Sequence, residues 1–183
     1  MRLNVRFAGA GGQGVILSAV MLAKAYGLGE DYYISQTQSY GPEARGGACK
    51  AEVVISDEPI DYMKVETADV FIAFNQVGYD KYCKTVKEDA IILVNSTLVE
   101  TESDRHYRIP ATEIAEEMGK PFVVNMVMLG ALTKLLPKLF YPTVEAEILS
   151  NFPASIAGVN LEAYDKAYHY MANQVAERLT KSA

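Results

Sequence analysis

The chain has 183 residues, 17 basic and 23 acidic, a formal net charge of −6, and half of its residues are apolar. That balance describes a globular chain long enough for one real core and too short for two full domains, and it lacks the basic footprint of a nucleic-acid binder. Two cysteines without a CxxC pair and only two histidines exclude a self-contained iron–sulfur cluster or zinc site.

The elements follow in chain order. Leu3 to Ala8 alternates apolar and polar residues and reads as a strand running into Gly9-Ala10-Gly11-Gly12-Gln13-Gly14. Val15 to Tyr26 reads as a mostly buried helix, with Gly27 and Gly29 as C-terminal caps. Strand, glycine turn and helix open a βαβ unit, with a second strand over Tyr32 to Gln36. A polar loop, Thr37 to Gly47, is dense in turn formers. Ala51 to Ser56, Val70 to Phe74 and Ala90 to Val94 read as strands, the last two covered on both faces, and His106 to Ile109 as an edge strand. Helices are expected over Tyr79 to Val86, Thr112 to Met118, Met126 to Leu136 and Val144 to Phe152. Leu161, Tyr164, Tyr168, Met171, Val175 and Leu179 mark one face of a long final helix. The alternation predicts one α/β domain over residues 1–183: three-layered, Rossmann-like, with a mostly parallel sheet and a long C-terminal helix.

Neither a secretory signal nor a run of about 18 apolar residues is visible, so the chain reads as cytoplasmic, away from membranes, with reduced thiols.

Gly9, Gly11 and Gly14 fit the G-x-G-x-x-G spacing, which lets a phosphate approach a helix N-terminus or simply packs strand against helix. A dinucleotide fold places an acid about 20 residues later, at the end of the second strand, to hold the ribose. Here Glu30 and Asp31 precede that strand, and Gln36, Thr37 and Gln38 stand at its end, which disfavours an independent NAD enzyme.

GAGGQG followed by TQSYGPEARGG resembles the gamma subunit of the 2-oxoacid:ferredoxin oxidoreductases, the pyruvate, 2-oxoglutarate and branched-chain ketoacid enzymes, and the resemblance spans essentially the whole chain. It implies oxidative decarboxylation of a 2-oxoacid to an acyl-coenzyme A with ferredoxin reduction, 2-oxoglutarate being slightly preferred as substrate. It also implies alpha, beta and ferredoxin-like delta partner subunits. Thiamine diphosphate and the iron–sulfur clusters would sit on those partners, and this chain would help to position coenzyme A and assemble the complex. No catalytic residue and no metal ligand is expected here, and the isolated chain would be inactive and prone to self-association. The residues expected to meet coenzyme A are Gly9, Gly11, Gly12, Gln13 and Gly14 in the first motif, and Ser39, Tyr40, Arg45, Gly46 and Gly47 in the second.

Arg45 beside two glycines suits a phosphate, a salt bridge to Glu43 or a subunit contact. Asn75 and Asn95 end apolar strands and suit either helix caps or ligand contacts. Cys49 reads as buried packing rather than a reactive thiol, and His106 and His169 as surface or edge residues. The alternatives are a stand-alone nucleotide-binding module, an indolepyruvate oxidoreductase subunit, or an assembly platform whose glycine turn binds nothing.

Overall fold

The computed structural model describes residues 1–28, 31–39 and 48–181. Alternation in β1 (Arg2–Ala10) sends Val5 and Phe7 into the main core, and Ala8 to the other face of the sheet. Five more strands join it: β2 (Tyr33–Ser39), β3 (Ala48–Ser56), β4 (Ala68–Ala73), β5 (Val86–Asn95) and β6 (Tyr107–Ile109), in the order β2-β3-β1-β4-β5-β6. β1, β4, β5 and β6 pair in parallel, whereas β3 runs antiparallel to both of its neighbours. The sheet is therefore mostly parallel, with one reversed strand.

That reversed strand corrects the opening βαβ unit. After α1 (Val15–Gly27) the chain enters β2 at the far edge of the sheet, and β3 folds back into the gap beside β1. The strand that pairs with β1 on this side thus comes from the opposite direction. The end of β2 lies two strands from β1, so Gln36, Thr37 and Gln38 do not stand where a ribose-binding acid would flank the glycine turn.

Four helices build the thick layer on one face together with α1: α3 (Ala111–Glu117), α4 (Val124–Leu135), α5 (Tyr141–Asn151) and α6 (Ala154–Lys181). α4 is buried along nearly its whole length, as its missing polar face predicts, and Gly130 lets it close on α6, where a Cβ would strike the Tyr164 carbonyl. The other face carries α2 (Gln76–Tyr82) and flanking loops. Gly78 brings α2 down onto β1, since a Cβ there would come within 2.8 Å of backbone atoms of Ala8 and Gly9.

Several boundaries differ from the sequence reading. Gly27 ends α1 as an ordinary helical residue, and Leu28 caps it by donating its amide to the Lys24 carbonyl at 3.0 Å, so Gly27 is not a left-handed cap. Gly29 lies outside the described residues. α2 starts three residues earlier than expected because Asn75 caps it, and Val86 belongs to β5 rather than to that helix. At the β6 edge, Gln174 of α6 donates to the Arg108 carbonyl at 3.0 Å and accepts the Arg108 amide at 3.2 Å. One side-chain amide thereby replaces the hydrogen bonds of a further strand. No helix among the described residues is long and apolar enough to cross a membrane.

Candidate functional site

β1 ends at the rim of the sheet in a tight turn. The Gln13 amide donates to the Ala10 carbonyl at 3.3 Å, and Gly12 takes a left-handed φ of 89°, the pattern of a type II turn. Gly14 follows with φ 75° and opens α1. Its missing side chain makes room for Asn125 at the start of α4: a Cβ would lie 2.6 Å from Asn125 Cβ. At Gly9 a Cβ would come within 3 Å of Gln13, Phe74 and Val15. Gly11 and Gly12 are exposed.

Gln13 folds back over the turn. Its Oε1 accepts the Ala10 amide at 2.8 Å and the Asn75 Nδ2 at 3.1 Å, tying β1 to the end of β4. Asn75 also accepts the Gly78 amide at 2.9 Å and so caps α2. Asn95, fully buried, accepts the Ala111 amide at 3.0 Å and donates to the Phe74 carbonyl at 3.2 Å and to Thr112 Oγ1 at 2.9 Å. Between cap and ligand, the geometry makes both asparagines caps. Three neutral amides, Gln13, Asn75 and Asn125, thus border the glycine turn.

The structure brings Gly9, Gly11, Gly12, Gln13 and Gly14 together, as one turn must. Register pairs Gly9 with Cys49 and Ala10 with Ala48, so β3 starts beside the glycine turn. Ser39 pairs with Lys50 one strand further out. Tyr40, Arg45, Gly46 and Gly47 lie outside the described residues. Cys49 is buried, and burial pushes its thiol above the ordinary value, away from thiolate chemistry. His106 corrects the surface reading: it is buried, 3.3 Å from Thr101 Oγ1, and burial, then Arg108, Arg105 and Arg178, hold its pKa below the usual histidine value. His169 is exposed on α6 beside Asp165. Among the described residues no group of three or more His, Cys, Asp or Glu is placed to hold a metal.

The sequence reading missed a charged cluster on the thin face of the sheet. Arg6 and Glu52, 3% and 5% exposed, pair at 2.7 Å across β1 and β3, and Lys50 Nζ reaches the same Glu52 oxygen at 2.9 Å. Arg6 also donates to the Thr85 carbonyl at 3.0 Å and to the Val65 carbonyl, so its guanidinium is well satisfied. Beside this pair opens a cavity of about 500 Å³, lined by Thr37, Ser39, Lys50, Glu52, Tyr62, Lys64 and Glu66 among others. Two ammonium groups (Lys50, Lys64), two carboxylates (Glu52, Glu66) and three hydroxyls (Thr37, Ser39, Tyr62) thus line it. Lys50 is paired with Glu52, and the Tyr62 hydroxyl donates to Glu66 at 3.0 Å. The available signal was Arg6 in β1 with Lys50 and Glu52 alternating in β3, but the pairing of those strands had to be known first.

Comparison with known proteins fits this architecture. Residues 4–170 match the family described as pyruvate ferredoxin/flavodoxin oxidoreductase. The 2-oxoglutarate synthase subunit KorC of Methanocaldococcus jannaschii is 47% identical over 174 residues, covering 92% of this chain and 93% of that protein. The gamma subunit of the keto/oxoacid ferredoxin oxidoreductase from Geobacter sulfurreducens superposes with a TM-score of 0.83 at 34% identity, covering 94% of this chain and 98% of that one. The 2-oxoglutarate:ferredoxin oxidoreductase of Magnetococcus marinus, solved with 2-oxoglutarate, coenzyme A and succinyl-CoA bound, matches with a TM-score of 0.84 at 28% identity. That match covers 94% of this chain and 31% of the longer one. By sequence and by fold, this chain belongs to the pyruvate ferredoxin/flavodoxin oxidoreductase family.

Proposed function

We propose that the chain is the gamma subunit of a coenzyme-A-dependent 2-oxoacid:ferredoxin oxidoreductase acting on 2-oxoglutarate, and that it works only within the complex. The observation that carries the substrate is the 47% identity to a 2-oxoglutarate synthase subunit over nearly the full length of both chains. Thiamine diphosphate and iron–sulfur clusters belong to the alpha, beta and ferredoxin-like delta subunits in this reading, and they supply the carbanion and electron-transfer chemistry. The chain's own share is to hold coenzyme A. Ser39 at the end of β2, with Tyr40, Arg45, Gly46 and Gly47 after it in the sequence, are its contacts in this reading. The Lys64 ammonium and the Thr37 hydroxyl, in the cavity beside β2 and β3, then meet the phosphates of coenzyme A, while Lys50 stays paired with Glu52.

The test is the reconstituted complex, assayed for ferredoxin reduction with 2-oxoglutarate, pyruvate and indolepyruvate in turn. The highest kcat/KM is expected with 2-oxoglutarate. Arg45→Ala should raise the Michaelis constant for coenzyme A while leaving that for the 2-oxoacid in place. Preference for another oxoacid overturns the substrate, and unchanged coenzyme A kinetics with intact assembly overturn the role of Arg45.

A further inference from the structure

His106, 9% exposed, immediately precedes β6 and has polar and cationic surroundings. Its Nδ1 lies 3.3 Å from Thr101 Oγ1, which also bonds the Tyr79 hydroxyl of α2 at 3.1 Å and accepts the Ser103 amide at 3.2 Å. The Tyr79 ring stands edge-on to the imidazole at 5.8 Å. Arg105 precedes His106 in the chain. Asp104, Arg108 of β6, and Glu177, Arg178 and Lys181 of α6 line one cavity with it. Among the described residues no carboxylate pairs with the ring.

The same few residues hold the end of a helix. Arg178 donates to the carbonyls of Asp104 at 3.3 Å and Arg105 at 2.9 Å, and to that of His106 itself. Its guanidinium also lies 4.1 Å from the centroid of the Tyr107 ring. One turn earlier, Gln174 bonds both main-chain groups of Arg108. Beyond Met171 no residue of α6 is buried, so these polar contacts rather than core packing dock its last turns.

We propose that this cluster is an acid-sensitive latch, in which protonation of His106 releases residues 174–181 of α6 from β6 and the segment before it. A proton on the imidazole adds a cation beside Arg105, Arg108 and Arg178, where burial already disfavours charge. The helix end can yield alone, because few apolar contacts tie it to the core. Burial first, and then Arg108, Arg105 and Arg178, hold the closed imidazole below the ordinary histidine value of 6.5. The released state therefore takes up the proton more readily. The latch is closed above that value and opens as the pH falls through it toward the lower folded value.

The latch does not depend on the subunit reading, and hydrogen exchange of the full chain tests it. After correction for the intrinsic pH dependence of amide exchange, protection of residues 174–181 should fall at least about threefold between about pH 7.5 and 5, while that of α4 stays level. The fall should level off as the His106 imidazole titrates by NMR, with His169→Asn distinguishing the two histidine resonances. His106→Gln should keep residues 174–181 protected and lose the pH response. Equal protection at both pH values overturns the latch, as does an unchanged response in His106→Gln. A loss spread evenly over α4 and α6 would be global unfolding and also overturns it. Should His106→Gln not fold, a fall in the wild-type chain that continues below the His106 titration overturns it instead.

Discussion

The glycine turn and the cavity beside the β2–β3 hairpin share one end of the sheet but differ in charge. The turn is bordered by three neutral amides, whereas the cavity holds Lys50, Lys64 and Glu66 beside a buried Arg6–Glu52 pair. A glycine pattern that looks like a phosphate cradle thus lacks a cation among its described neighbours, and the cations gather one strand away. Shape and charge, which a nucleotide site combines, are divided here between two places.

The sharpest way to break this division is at the floor of the cavity. Arg6→Ala leaves the Glu52 carboxylate buried with only Lys50 as its charged partner, and should cost about 3–5 kcal/mol in denaturant unfolding, enough to threaten the fold. Next comes the inner half of the turn: Gly14→Ala forces a Cβ into a left-handed residue and against Asn125, and about 1–3 kcal/mol should be lost by the same measurement. At the rim of the cavity, Lys64→Ala should leave stability nearly unchanged and raise the Michaelis constant for coenzyme A about tenfold, or about 1.4 kcal/mol. The same substitution should not affect subunit assembly. If assembly fails instead, the cavity is a subunit interface rather than a ligand seat.

His106 provides a control remote from both places. Its folded pKa is depressed, so the unfolded chain takes up the proton more readily. Stability should be full above the ordinary histidine value near 6.5 and decline as the pH falls through it toward the lower folded value. His106→Gln should flatten that part of the profile. An unchanged profile would mean that other groups cause any decline in that range.

Much of the fold was legible because periodicity and punctuation agreed. Val15 to Tyr26 and the stripe from Leu161 to Leu179 declared α1 and α6, and Pro137 marked the end of α4. Chain order hid the topology: β3 carries no local sign that it slips between β1 and β2, since insertion is decided by pairing across the sheet. The same blindness concealed the Arg6–Glu52 pair, whose members are 46 residues apart. The glycine spacing identified the turn but not which glycine faces outward, because that depends on Phe74 and Asn125 packing in from distant segments. His106 looked like an edge residue because β6 is one. Thr101 Oγ1 at 3.3 Å and the Tyr79 ring at 5.8 Å pack against its imidazole from other segments.

The central claim, that this chain completes a coenzyme-A-dependent enzyme without containing its redox chemistry, meets its most direct test in an omission experiment. Alpha, beta and delta subunits loaded with thiamine diphosphate and iron–sulfur clusters are assayed for 2-oxoglutarate-driven ferredoxin reduction at varied coenzyme A, with and without this chain. The account predicts that saturable dependence on coenzyme A appears only when the chain is added. Equal coenzyme A dependence in its absence would contradict it.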